Sequence, residues 1–129
     1  MKETFTVVAA IIEREGRVLI GKRKKGKHLE GKWEFPGGKI EKNETPEVCL
    51  ERELREEFNI VTKAGEYLGE NIYEHDDRII RLLGYRGVYV SGDFILVEHD
   101  EIRWVALEEL NLYDFASADI PFLEKLKFH

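Results

Sequence analysis

The chain has 129 residues, enough for one domain around one core, and its 43% hydrophobic and 36% charged residues make an ordinary globular balance. A net charge of −6 argues against a long nucleic-acid partner, which selects a basic surface, but leaves room for a small phosphorylated substrate held through divalent cations. No apolar run approaches bilayer-spanning length and the N-terminus MKETFTVVAAII lacks a signal-peptide pattern, so a cytoplasmic protein with no membrane contact is expected.

Residues 5–12, FTVVAAII, are apolar and β-branched, as in a buried strand. Glu15-Gly16 signals a turn, and Arg17–Lys22 follows as a second strand. A basic, glycine-containing loop spans residues 23–32, and WEFPGG then reads as a short strand ending at Pro36-Gly37-Gly38. Thr45 as N-cap and Pro46 at the first helical position start a helix that runs to about Phe58, with Val48, Cys49, Leu50, Leu54 and Phe58 on its apolar side. Asn59, tolerant of the left-handed conformation, is its stop. Residues 60–73 and 78–90 form a hairpin around Glu74-His75-Asp76-Asp77, with His75 a solvated turn residue. Residues 101–106 are a further strand, Leu107–Leu110 a helical turn, and 118–128 a C-terminal helix with Asp119 near its start. The fold class is α+β, a mixed sheet between helices in an α/β/α arrangement. The single Cys49 excludes an intramolecular disulfide, no Cys/His cluster suggests zinc, and a small buried residue is its expected role.

The chemistry concentrates between Gly38 and Ile60. Glu53, Glu56 and Glu57 stand at i, i+3 and i+4, on one face of the helix. Three carboxylates so placed repel one another, and spacing alone fits a solvated charged face as well as a metal site. Magnesium, a hard ion that takes carboxylate oxygens and is completed by substrate phosphates, turns the arrangement to use.

The longer pattern resembles the signature of Nudix hydrolases: Gly, five residues, Glu, seven residues, Arg-Glu, an aliphatic, any residue, Glu-Glu, any residue, Gly, an aliphatic. Here it reads Gly38, Glu44, Arg52-Glu53, Leu54, Glu56-Glu57, Asn59 and Ile60. Six specific matches arise by chance in so Glu-rich a chain about four times in ten thousand, which sets the solvated-face reading aside. Asn59, where the family has glycine, is the one departure. WEFPGGKIE looks like the MutT-like branch, and VVAAIIER, GEYLGE, RIIRLLGY and ASADIPFLEKL resemble bacterial CTP pyrophosphohydrolases within it. The similarity covers nearly the whole chain, as a single Nudix domain over residues 1–129.

The resemblance implies a nucleoside triphosphate pyrophosphohydrolase using Mg2+, or Mn2+ in its place. The Gly37 carbonyl with Glu53, Glu56 and Glu57 would hold the metal. Arg52 would pair with carboxylates such as Glu44 and fix the helix. Arg23 would reach the phosphates. Glu98, six residues before Trp104, matches an additional metal-binding or catalytic carboxylate, with Glu101 as the alternative. Glu53 or Glu98 would take the proton from water attacking the β-phosphorus.

Phe35, Arg78 and Asp119 match MutT-like positions around the nucleobase. A core role is the alternative for Phe35, and a helix cap the lesser alternative for Asp119. An ionised Asp119 accepts only, which favours a base edge presenting donors, such as cytosine N4 or guanine N1 and N2. Lys24, Lys25 and Lys27 would draw in the triphosphate or stay merely solvated. CTP, modified dCTP and oxidised nucleotides such as 8-oxo-dGTP remain alternatives, as do another nucleoside-diphosphate-X substrate and a non-catalytic nucleotide sensor. The partner expected is a small nucleotide, not a nucleic-acid polymer, bound by a monomer or homodimer.

Overall fold

Strand β1 (Glu3–Arg14) has neighbours on both edges and is covered on both faces. Its side chains alternate, so Ala9 and Ile11 enter one apolar cluster while Val8, Ala10 and Ile12 enter another. This two-sided burial is why the sequence reads as a continuous apolar run rather than an alternating one. The computed structural model describes residues 2–126, the side chain of His75 excepted. The expected reading of His75 and the last residues of the expected C-terminal helix, 127–128, lie outside the described residues.

After β1 the chain forms β2 (Arg17–Arg23), β3 (Trp33–Glu34), β4 (Gly37–Lys39), α1 (Pro46–Phe58), β5 (Val61–His75), β6 (Arg78–Ser91), β7 (His99–Ala106) and α2 (Ile120–Leu126), with 3-10 turns at Leu107–Leu112 and Ser117–Asp119. The strands make one seven-stranded mixed sheet in the order β3-β2-β1-β6-β5, with β4 added to β1 and β7 to β2. β1 and β6 pair in parallel over Glu3–Glu13. α1 covers one face through Cys49, Leu50, Leu54 and Phe58, and α2 covers the other through Phe122, Leu123 and Leu126. The α/β/α arrangement is as expected.

Several local expectations are corrected. WEFPGG is divided, with β3 ending before Phe35 and β4 beginning at Gly37. Val48 is 53% exposed and not on the packed side of α1. The hairpin turn shrinks to Asp76-Asp77, because β5 continues through His75. β7 begins at His99 rather than 101, which places His99 opposite Arg23 in the sheet. Among the described residues no helix is long and apolar enough to cross a membrane.

Candidate active site

α1 is fixed at both ends by its own sequence. The Thr45 hydroxyl accepts from the Val48 amide at 3.2 Å, Pro46 follows, and Asn59 closes the helix at φ 60°, ψ 33°. Arg52 organises the charged face. It forks onto Glu44 through Nε (2.6 Å) and Nη2 (3.0 Å), while Nη1 reaches Glu53 (2.9 Å) and Glu56 (3.0 Å). The Arg52 hydrogen bonds hold the Glu44 carboxyl down at about 2. Burial pushes the neighbouring Cys49 thiol up to about 12, so it is an inert buried group, as expected.

Glu53 and Glu57 face the Gly37-Gly38 strand, whereas Glu56 is largely in solvent. A Cβ on Gly38 would lie 2.4–2.6 Å from the Glu53 carboxylate, and one on Gly37 would strike the Val8 carbonyl at 1.8 Å. Only glycine allows β4 to pass this close. One oxygen of Glu57, Oε2, is buried without a hydrogen-bond partner. Burial, then the charges of Glu53 and Glu34, pushes the Glu57 carboxyl up to about 8. Burial likewise raises Glu53, against the pull of Arg52. The pair is therefore a site short of positive charge, and its all-oxygen chemistry suits a hard divalent cation. Among the described residues, no three His, Cys, Asp or Glu side chains converge as a ready ligand set. Arg52 instead draws Glu53 and Glu56 to itself.

Glu57, Gly37 and Gly38 line a cavity of about 350 Å³. Its lining also includes Val7, Val8, Ile80 and Leu82 from the parallel strand pair, together with Phe35, Glu34, Arg23 and Asp119. Phe35 stacks at a tilt on Phe115, with centroids 5.2 Å apart, so it is both cavity wall and core. Asp119 is 7% exposed and accepts from the Phe35 amide at 3.0 Å. That bond ties the C-terminal segment to the residue that follows β3. Burial, then the Glu34 charge, pushes the Asp119 carboxyl up to about 8. Burial thus disfavours the ionised, accept-only form of Asp119 in the free cavity, and protonation would let the group donate as well.

Of the remaining expected residues, Arg23 lines this cavity and Arg78, Glu98 and Glu101 do not. Arg23 Nη1 binds both Glu34 oxygens (3.1 and 3.3 Å), and its Nε donates to the His28 carbonyl. Arg78 lines an adjoining apolar pocket of about 230 Å³ and stands 5.6 Å from the Phe5 ring centroid. Glu98 is paired with Lys27 and does not line the main cavity. The alternative carboxylate, Glu101, is occupied by Arg103 at 2.7 Å. The loop leading to Glu98 is fastened to the end of α1, where Ile95 N donates to Phe58 O, Val97 N to Glu57 O, and Asn59 Nδ2 to Asp93 O at 3.0 Å. Sequence reasoning missed Glu34 and His99. The sole signal for His99 was a histidine beside Glu98, which without the fold reads as loop.

The Escherichia coli K12 protein named CTP pyrophosphohydrolase is 42% identical over 118 residues, spanning 92% of this chain and 87% of its own. The 8-oxo-dGTP diphosphatase of the same organism is 35% identical over 127 residues, spanning 98% of each. The crystal structure of the MutT protein from Methanosarcina mazei superimposes with a TM-score of 0.87 at 30% identity, covering 98% of this chain and 95% of that one. The NUDIX domain model matches residues 2–126. With the glycine strand, the carboxylate helix and the adjoining cavity all in one chain, the protein belongs to the NUDIX domain family.

Proposed function

We propose that the chain, acting as one domain over residues 1–129, is a metal-dependent pyrophosphohydrolase converting a nucleoside triphosphate to the monophosphate and pyrophosphate. The observation that carries this reading is the buried, unpartnered oxygen of Glu57, a residue lining the same cavity as Asp119. Similarity to the CTP pyrophosphohydrolase and to the 8-oxo-dGTP diphosphatases supports it. Candidate substrates are CTP, modified dCTP and oxidised nucleotides such as 8-oxo-dGTP.

Glu53, Glu56 and Glu57 with the Gly37 carbonyl would hold Mg2+ or Mn2+, and Glu98 would add a ligand from its loop. When bound, the ion supplies charge neutralisation for the phosphates and acidifies water. Arg52 keeps the carboxylate helix fixed against Glu44. Arg23 offers its guanidinium to phosphate, and Glu53 or Glu98 accepts the proton of the attacking water. Phe35 and Arg78 flank the base, and Asp119 reads its edge. A protonated Asp119 presents a donor and an acceptor; an ionised one rewards a donor-rich edge. Both forms suit cytosine and an oxidised guanine.

A pyrophosphate-release screen over ordinary and oxidised nucleotides, with Mg2+ and then Mn2+, tests the reading. Glu53→Gln should lower kcat about 100-fold or more, the scale of a lost general base. Undiminished metal-dependent release in that variant would remove Glu53 from catalysis, and no release from the unaltered protein on any nucleotide would overturn the reading.

A further inference from the structure

His99 is a buried imidazole with no part in the machinery described above; its side chain is 1% exposed. The ring stacks on Phe58 with centroids 5.0 Å apart and planes 18° apart. Its Nε2 lies 2.8 Å from Glu34 Oε2, and Nδ1 is buried without a hydrogen-bond partner. A carboxylate oxygen only accepts, so Nε2 carries the proton. A histidine kept only for packing would leave one nitrogen unsatisfied for no return, since a phenylalanine fills the same slab of space. The return here is Glu34.

The route is specific. His99 stands on β7 and Glu34 on β3, with β2 between them. The β2 residue paired with Glu34 is Gly21. A Cβ on Gly21 would fall 2.6 Å from His99 Cδ2 and 3.0 Å from Nε2. Gly21 is thus a gap in β2 over which the ring lies to reach the next strand. Glu34 is a cavity wall residue that also receives Arg23. Held by His99, its carboxylate is shared between the two; released, it is free to close on Arg23 alone.

We propose that His99 is a positioning residue, laid across Gly21 to hold the Glu34 carboxylate at the cavity wall, and that this placement sets nucleotide affinity and base preference. The inference rests on the reading that the cavity takes a nucleoside triphosphate. The test is steady-state pyrophosphate release with CTP and competing nucleotides, alongside thermal melting, for the unaltered protein, His99→Phe, His99→Gln and Gly21→Ala. Phe keeps the stacking and removes the donor. Ala leaves the strand conformation intact and displaces the ring. Both should raise KM about tenfold, the worth of one hydrogen bond to a charged group, with kcat within about threefold, and both should shift the ratio of kcat/KM between nucleotides. Gln, which can donate from its amide, should recover most of the KM. Should His99→Phe not fold, Gly21→Ala carries the comparison. Unchanged KM and base preference in the variants, with only Tm lowered, would overturn the inference, as would a Gln variant no better than Phe. Absence of release from the unaltered protein would instead strike the nucleotide reading, and the inference with it.

Discussion

Arg52 is the hinge of the site's electrostatics, because one guanidinium answers Glu44, Glu53 and Glu56 together. Lysine keeps the charge but lacks the fork that spans Glu44. Arg52→Ala should cost about 3 kcal/mol, the scale of breaking a sequestered ion pair, readable by chemical denaturation, and Arg52→Lys should recover only part of it. Asp119 offers a test with a defined pH window. Its carboxyl rises from an ordinary 3.8 to about 8 on folding. A raised pKa means its stabilising contribution is whole below pH 3.8 and is lost as pH climbs through 8. Asp119→Asn has no charge to desolvate and keeps an acceptor for the Phe35 amide. Its Tm should therefore gain on the unaltered protein from pH 4 to pH 8, then hold a constant lead; parallel curves across that range would contradict the burial argument. The same substitution should alter the ranking of nucleotides. At this scale the sequence was legible where the partners are near one another in the chain, as with the pairing of Arg52 and Glu44. It was silent on the Glu34–His99 contact, made between residues 65 positions apart, because a gap at Gly21 has meaning only once β2 lies between its neighbours.

Helix α1 was readable almost to the residue, since Thr45, Pro46 and Asn59 carry its ends in their own chemistry. Val48 was misplaced because apolar character does not fix which side of a helix meets the sheet. The division of WEFPGG was hidden for a related reason: β4 exists only by pairing with β1. Asn59 has more to do than stop a helix. A glycine would adopt the same left-handed backbone but would have no amide to hold Asp93 O. Asn59→Gly should therefore leave the helix intact while loosening the loop that carries Glu98. Faster amide hydrogen exchange at Ile95 and Val97, the two residues that cap the Phe58 and Glu57 carbonyls, would report it. Equal exchange would reduce Asn59 to a neutral replacement. Leu54→Ala, at a fully buried position on the sheet side, should cost about 2–5 kcal/mol.

For the molecule as a whole, the buried carboxylates of the candidate site oppose the fold. Glu57 is raised from 4.5 to about 8, so its contribution also falls as pH climbs between those values. A cation that binds the folded state alone offsets this by mass action, by about 2.7 kcal/mol at a hundredfold excess over Kd. Mg2+ should accordingly raise Tm relative to chelator. Glu57→Gln should raise the metal-free Tm at pH 8 and shrink the gain from Mg2+. A Tm indifferent to Mg2+ would contradict placement of the ion at these residues. The α/β/α architecture was legible because β1 is apolar on both faces and α1 on one; the pairing of β1 with β6 was not, as no local pattern encodes a partner so far along the chain.

That parallel pairing also has a consequence in time. β1 supplies Val7 and Val8 to the cavity and β6 supplies Ile80 and Leu82, yet these strands pair Glu3 with Arg78 and Val8 with Leu83. The loop between them must close before the pocket has two walls, and such long-range closure is the slow part of folding. The cavity thus has no local precursor. On refolding, nucleotide binding should appear in the same kinetic phase as the sheet and never ahead of it, even though α1, with its carboxylates in order, can form early.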